Sequence, residues 1–98
     1  MIEVIQVTPR SDYKVYVYFS NGNIRLYDMN DTIKNGGIFN QISDIHSFID
    51  KCTVMNGTLA WDISGAFDPA ACIDIDPETI YNSGDKILLD PLENSEAS

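Results

Sequence analysis

Basic side chains are scarce in this chain of 98 residues: six Lys and Arg stand against fifteen Asp and Glu, for a net charge of −9. Phosphate contacts need clustered cations, so direct nucleic-acid binding is excluded as an expectation. The two cysteines, Cys52 and Cys72, are too few and too far apart to announce a disulfide framework, and both read as reduced, packed thiols. A single histidine, His46, gives little material for acid–base catalysis or a zinc site. No apolar run approaches the roughly 20 residues of a membrane helix. The opening MIEVIQVTPRSD lacks a basic leader with a long apolar stretch, so no secretory signal is read and a cytoplasmic location is expected.

What is present suits one folded domain. Hydrophobic residues make up 44% and charged residues 21%, inside the globular range. The acidity is local. Residues 61–98 hold nine acids and one base, Lys86, whereas residues 1–60 hold six acids and five bases. Such a charge favours a small basic protein partner, and a homodimer is a further option.

The organising stretch is DYKVYVYFSNGNIRLYDM, residues 12–29, two alternating runs around Asn21-Gly22. A two-residue type I′ loop there would pair Phe19 with Ile24, Val17 with Leu26 and Tyr16 with Tyr27. One face would carry Val15, Val17, Phe19, Ile24 and Leu26, and the other Lys14, Tyr16, Tyr18, Arg25 and Tyr27. The second face, with Tyr16, Tyr18, Arg25 and Tyr27, has the composition of an interaction surface, or else is covered by the N-terminal strand or the C-terminal region.

Ile2 to Thr8 reads as a strand with apolar residues on both faces, covered from both sides. Asn30 to Gly37 reads as a shaped loop with one helical turn at most, and Ile38 and Phe39 as plugs onto the core. A helix is predicted from an N-cap at Ser43, with Ile42, Ile45, Phe48, Ile49 and Cys52 as its buried stripe. Asn56-Gly57 closes a second hairpin pairing Val54 with Leu59 and Cys52 with Trp61. Asp68-Pro69 and Asp76-Pro77 each place an N-cap acceptor before a proline at the first helical position. The whole is α+β: two antiparallel hairpins and an N-terminal strand packed with one main helix, then short C-terminal helical turns. The domain is expected over 1–84, with 85–98 an acidic tail, its apolar cluster at Ile87, Leu88, Leu89 and Leu92, and disorder beyond Glu93.

The chemical constellations are weak. Asp74, Asp76 and Glu78 alternate, but a calcium loop would need glycine and glutamate where Thr79 and Asp85 stand, and Pro77 interrupts it. His46, Cys52 and Cys72 lack the close pair spacing of zinc sites. Gly36-Gly37 precedes no Lys-Ser or Lys-Thr. No catalytic, metal or cofactor residue is therefore assigned, and a non-enzymatic role is expected.

The order and spacing of YKVYVYFSNG, IFNQISDIHSFIDK, Thr58 to Trp61 and CIDIDPETIY resemble the small bacterial family catalogued as domain of unknown function 2442. The resemblance runs from about Ile2 to Tyr81. It implies an α+β fold of antiparallel strands with one main helix, and it transfers no activity and no catalytic residues. Some members resemble the antitoxin half of two-gene toxin and antitoxin modules. The leading functional expectation is thus an interaction domain of that kind. The alternative is a small-ligand-binding domain with a pocket beside the Trp61 to Tyr81 segment.

Overall fold

The computed structural model describes residues 2–91. Strands β1 (Val4–Pro9), β2 (Lys14–Phe19) and β3 (Ile24–Asp28) are followed by α1 (Asn30–Lys34), a 3-10 turn (Gly37–Ile42) and α2 (Ile45–Lys51). Then come β4 (Cys52–Met55), β5 (Thr58–Asp62), a second 3-10 turn (Pro69–Ala71), β6 (Cys72–Asp74), α3 (Pro77–Ser83) and β7 (Asp85–Ile87). Two antiparallel sheets result, ordered β1-β2-β3-β7 and β4-β5-β6. They meet where the Val4 amide donates to the Gly57 carbonyl at 2.9 Å. One core joins Val4, Val15, Val17 and Phe19 of the first sheet to Leu59, Trp61 and Ile73 of the second, with Met29, Ile42, Phe48 and Ile80 from the segments between strands. The α+β class stands, although three short helices and two 3-10 turns share the work expected of one main helix.

The two Asn-Gly pairs make different loops. Asn56 and Gly57 both have positive φ, 56° and 72°, as a type I′ turn requires, and Val54 pairs with Leu59 and Cys52 with Trp61 as expected. At the first hairpin only Gly22 is left-handed, at 88°. The Gly22 amide donates to the Phe19 carbonyl and the Phe19 amide to the Asn23 carbonyl, which is a three-residue loop with a glycine bulge. The register therefore slips by one: Tyr16 faces Leu26, Val17 faces Arg25 and Val15 faces Tyr27. Because side chains alternate, every residue of β3 changes face relative to the two-residue expectation.

Other local readings are corrected. β1 carries a register shift between Val4 and Gln6, which keeps Val4 and Val7 on the core side and ejects Ile5, 63% exposed, so the strand is not covered on both faces. Residues 30–34 form a short helix rather than a loop, and of the expected plugs Phe39 packs on the core while Ile38 is exposed. Asp44, in place of Ser43, caps α2 through its carboxylate and the Ser47 amide; Phe48 is buried but Ile49 is exposed. Asp68 and Asp76 cap their turns as the Asp-Pro pairs foretell. β7 pairs with β3, so the sheet continues past the boundary drawn at Gly84. Leu92 and the disorder expected beyond Glu93 lie outside the described residues.

Candidate functional site

The one-residue slip divides the four residues read as a single interaction surface. Arg25 and Tyr27 share the core face with Val15 and Val17, whereas Tyr16 and Tyr18 share the outer face with Ile24 and Leu26. Sequence reasoning missed Ile24 and Leu26 as surface residues because their spacing matched the core face of an amphipathic strand.

Arg25 is 5% exposed. Its Nε donates to the Tyr81 carbonyl at 3.0 Å and its Nη1 to the Ile24 carbonyl at 3.1 Å, while the guanidinium lies 4.2 Å from the Tyr81 ring centroid. Tyr81 sits in the last turn of α3, whose carbonyls lack helical partners and carry the negative end of the dipole, so a cation is held there without a carboxylate. Phe19 meets the Tyr81 ring edge-on at 5.1 Å, and the Asn21 and Asn23 side-chain amides donate to its hydroxyl. Tyr27 is half-buried beside this cluster, and burial raises its pKa.

The outer face of the first sheet is built in rows. Gln6, Tyr18, Ile24 and Ile87 lie side by side across the four strands, and Thr8, Tyr16, Leu26 and Asp85 form the next row. None of the five apolar and aromatic residues Tyr16, Tyr18, Ile24, Leu26 and Ile87 belongs to the core cluster, but Tyr18 is 9% exposed and Tyr16, Ile24, Leu26 and Ile87 are half-buried. Arg10 covers part of Tyr16, donating Nη1 to its hydroxyl at 2.9 Å while pairing with Asp12 at 2.9 Å. At the other end the Tyr18 hydroxyl donates to Asp90 Oδ1 at 2.9 Å, and between β7 and Asp90 stand Leu88, 91% exposed, and Leu89, 68% exposed.

Concave candidates are shallower. A depression of about 440 Å³ is lined by His46, Ser47, Ile49, Asp50 and Lys51 of α2 alone, and one helix cannot enclose a ligand. A groove of about 270 Å³ runs between Ile38 and Gln41 on one side and Ile63 and Ala70 to Ile73 on the other. Another of about 270 Å³ lies beside Asp62, whose carboxylate is buried and accepts from the Phe67 amide at 3.2 Å, organising the loop after β5.

The groups considered for catalysis are dispersed. His46 is exposed. Burial pushes the Cys52 thiol up to about 12. The Cys72 thiol is also raised, by desolvation and then by the carboxylates of Asp74, Asp62 and Asp68, and it donates to the Pro69 carbonyl at 3.4 Å. A protonated thiol is a poor nucleophile and a poor metal ligand. Among the described residues no three His, Cys, Asp or Glu side chains converge to hold a metal, and no helix is long and apolar enough to cross a membrane.

Residues 4–86 match the family described as "Protein of unknown function (DUF2442)". The chain belongs to this family. No curated protein and no solved structure matches it. The DUF2442 match covers both sheets and all three helices and ends at Lys86, inside β7. Membership in DUF2442 thus agrees with the resemblance noted in the sequence and assigns no activity to any residue above.

Proposed function

We propose that this chain is a non-enzymatic protein–protein interaction domain whose contact surface is the outer face of the four-stranded sheet. One observation carries the reading: β3 turns its apolar residues, Ile24 and Leu26, outward and buries Arg25. Ile24 and Leu26 are half-buried on this face, so each keeps apolar area for a partner to cover, while the Arg25 guanidinium is satisfied beneath it by Tyr81. Local rules are most often broken where a surface serves a partner. Tyr16, half-buried beside Leu26, supplies rigid contact area at low entropic cost.

Within that class, the antitoxin component of a two-gene module is the finer reading, supported by the acidic C-terminal third and the family resemblance. The test is co-expression with the product of the adjacent gene, followed by size exclusion with light scattering. A stable complex that is lost with Ile24→Thr plus Leu26→Thr supports both levels. No co-elution, with growth indifferent to either gene, removes the antitoxin role. The rival small-ligand reading has two locations at the Trp61 to Tyr81 segment: the groove between Ile38 and Ile73, and one of about 300 Å³ between Ile2, Gly57 and Asp76 to Glu78. At about 270 and 300 Å³ these lie at or under the lower end of the usual range for an enclosing pocket, about 300 to 1,000 Å³, so this reading ranks second.

A further inference from the structure

The chain holds three Asn-Gly pairs, Asn21-Gly22, Asn35-Gly36 and Asn56-Gly57. An Asn-Gly pair readily loses ammonia, because glycine has no Cβ to screen its nitrogen from the neighbouring carboxamide. The attack needs two groups free: the glycine amide, which must give up its proton, and the Asn side chain, which must bring its Cγ onto that nitrogen. A hydrogen bond to either one holds the reaction back.

The fold treats the three pairs differently. The Gly22 amide donates to the Phe19 carbonyl at 3.0 Å, while the Asn21 side chain donates to the Tyr81 hydroxyl and accepts from the Asn23 amide. The Gly36 amide, just past the end of α1, donates to the Ile33 carbonyl at 3.1 Å. Gly57 is not held in this way. Its turn closes through the flanking residues Met55 and Thr58, so its own amide stays outside the ladder, and its carbonyl alone is engaged, by the Val4 amide. The Asn56 side chain is exposed, and among the described residues nothing bonds it or the Gly57 amide.

We propose that Asn56 is a self-modification site, the Asn-Gly pair that this fold leaves open to conversion into aspartate and isoaspartate, and that the isoaspartate form loosens the junction of the two sheets. The Gly57 nitrogen gives its proton to water or hydroxide and attacks the Asn56 Cγ. A carbon–nitrogen bond closes a five-membered imide, and the side-chain nitrogen leaves as ammonia. Water then opens the ring: cleavage at Cγ gives aspartate, and cleavage at the backbone carbonyl gives isoaspartate, whose main chain runs through Cβ. No oxidant or reductant is needed.

The position gives the change a structural consequence. Gly57 supplies the carbonyl through which the second hairpin receives Val4 of the first sheet, at 2.9 Å. An added main-chain methylene is incompatible with a two-residue turn in which both residues have positive φ, so that carbonyl is displaced. The new carboxylate also enters an acidic neighbourhood. A Cβ on Gly57 would stand 3.5 Å from Glu3 Oε2, and Glu3, Asp76 and Glu78 line the same groove as Asn56.

The full chain, held in a mildly alkaline buffer and mapped by mass spectrometry with electron-transfer fragmentation, tests both parts. In the folded chain Asn56 should convert faster than Asn21 and Asn35 by about fivefold or more, the factor that one held hydrogen bond supplies. In urea, where no fold holds them, the three should convert at similar rates. Conversion of Asn21 or Asn35 as fast as Asn56 in the folded chain, or of Asn56 in urea alone, would overturn the site. The isoaspartate form, separated by its extra negative charge on ion exchange, should melt lower than the Asn56→Asp variant by about 4 °C or more. That variant carries the charge on an ordinary backbone, so equal melting temperatures would overturn the loosened junction.

Discussion

Arg25 on β3 and Tyr81 on α3 hold each other twice: the guanidinium packs 4.2 Å from the ring centroid, and its Nε donates to the same residue's carbonyl at 3.0 Å. This pairing ties the end of α3 to the sheet and commits β3 to its register. Arg25→Ala removes a charge-assisted bond, a stacking contact and a buried stem, and should cost about 2 to 4 kcal/mol in urea unfolding. Arg25→Lys keeps the charge but loses the planar stack, and should recover less than half of that.

Gly84 follows α3 and lies close under β3. A Cβ there would stand 2.8 Å from the Ile80 carbonyl oxygen and 3.0 Å from the Arg25 Cβ, both held by backbone. Its φ of −72° is open to any residue, so the penalty is steric. Gly84→Ala should destabilise by about 1 to 3 kcal/mol. The same cost should appear in an Arg25→Ala background, because alanine keeps the Cβ that the new methyl group meets.

Trp61 is fully buried and donates its Nε1 proton to the Phe48 carbonyl at 2.9 Å, with the two rings 5.4 Å apart. Phe48 lies in the last turn of α2, so this bond satisfies a carbonyl that the helix cannot. Trp61→Phe keeps most of the apolar volume and leaves that carbonyl unpaired, for a cost of about 1 to 3 kcal/mol. Trp61→Ala adds a cavity and should cost about 3 to 5 kcal/mol, enough to unfold much of a marginally stable domain.

Alkaline pH should weaken the fold through Cys52. Its thiol is raised from 9.0 to about 12 by burial, so the folded chain retains a proton that the unfolded chain releases. The contribution is complete below about pH 9 and is lost as pH climbs toward 12, at no more than about 1.4 kcal/mol per unit. Tyr27, raised by its own burial, acts in the same direction. Urea midpoints at about pH 7, 9.5 and 11 should fall in that order, and Cys52→Ala should flatten the decline. An unchanged slope in the variant would exclude Cys52 as its source.

Much of this fold is legible in residues whose signals are local. Asn56-Gly57 fixes its hairpin because both residues adopt the left-handed conformation, and the Asp-Pro pairs place their caps before any tertiary contact forms. Asn21-Gly22 is ambiguous, since Asn-Gly also suits the last two positions of a three-residue loop. The choice falls to Arg25, Tyr81 and Gly84, which meet across more than fifty residues of sequence. The bulge that ejects Ile5 and the three-residue β7 have no local signature either. The face carrying Tyr16 and Tyr18 is ambiguous for the same reason: alternation alone sets Arg25 and Tyr27 beside them, whereas the observed register sets Ile24 and Leu26 there.

The register itself can be measured by setting the two faces of one strand against each other. Val17 is fully buried on the core side, so Val17→Thr puts a hydroxyl into a dry interior and should cost about 1 to 3 kcal/mol. Leu26→Thr on the outer side introduces a β-branched residue at a half-buried position and should cost under about 1 kcal/mol. In the two-residue register Leu26 would face the core, and the two changes would cost alike. Cross-strand coupling gives a second readout. Tyr16 and Leu26 are direct partners, so their double-mutant cycle should show about 0.2 to 1 kcal/mol, whereas Tyr16 and Tyr27, on opposite faces, should show none. Coupling between Tyr16 and Tyr27 instead would restore one continuous tyrosine face, return Leu26 to the core, and remove the outward apolar strand on which the interface depends.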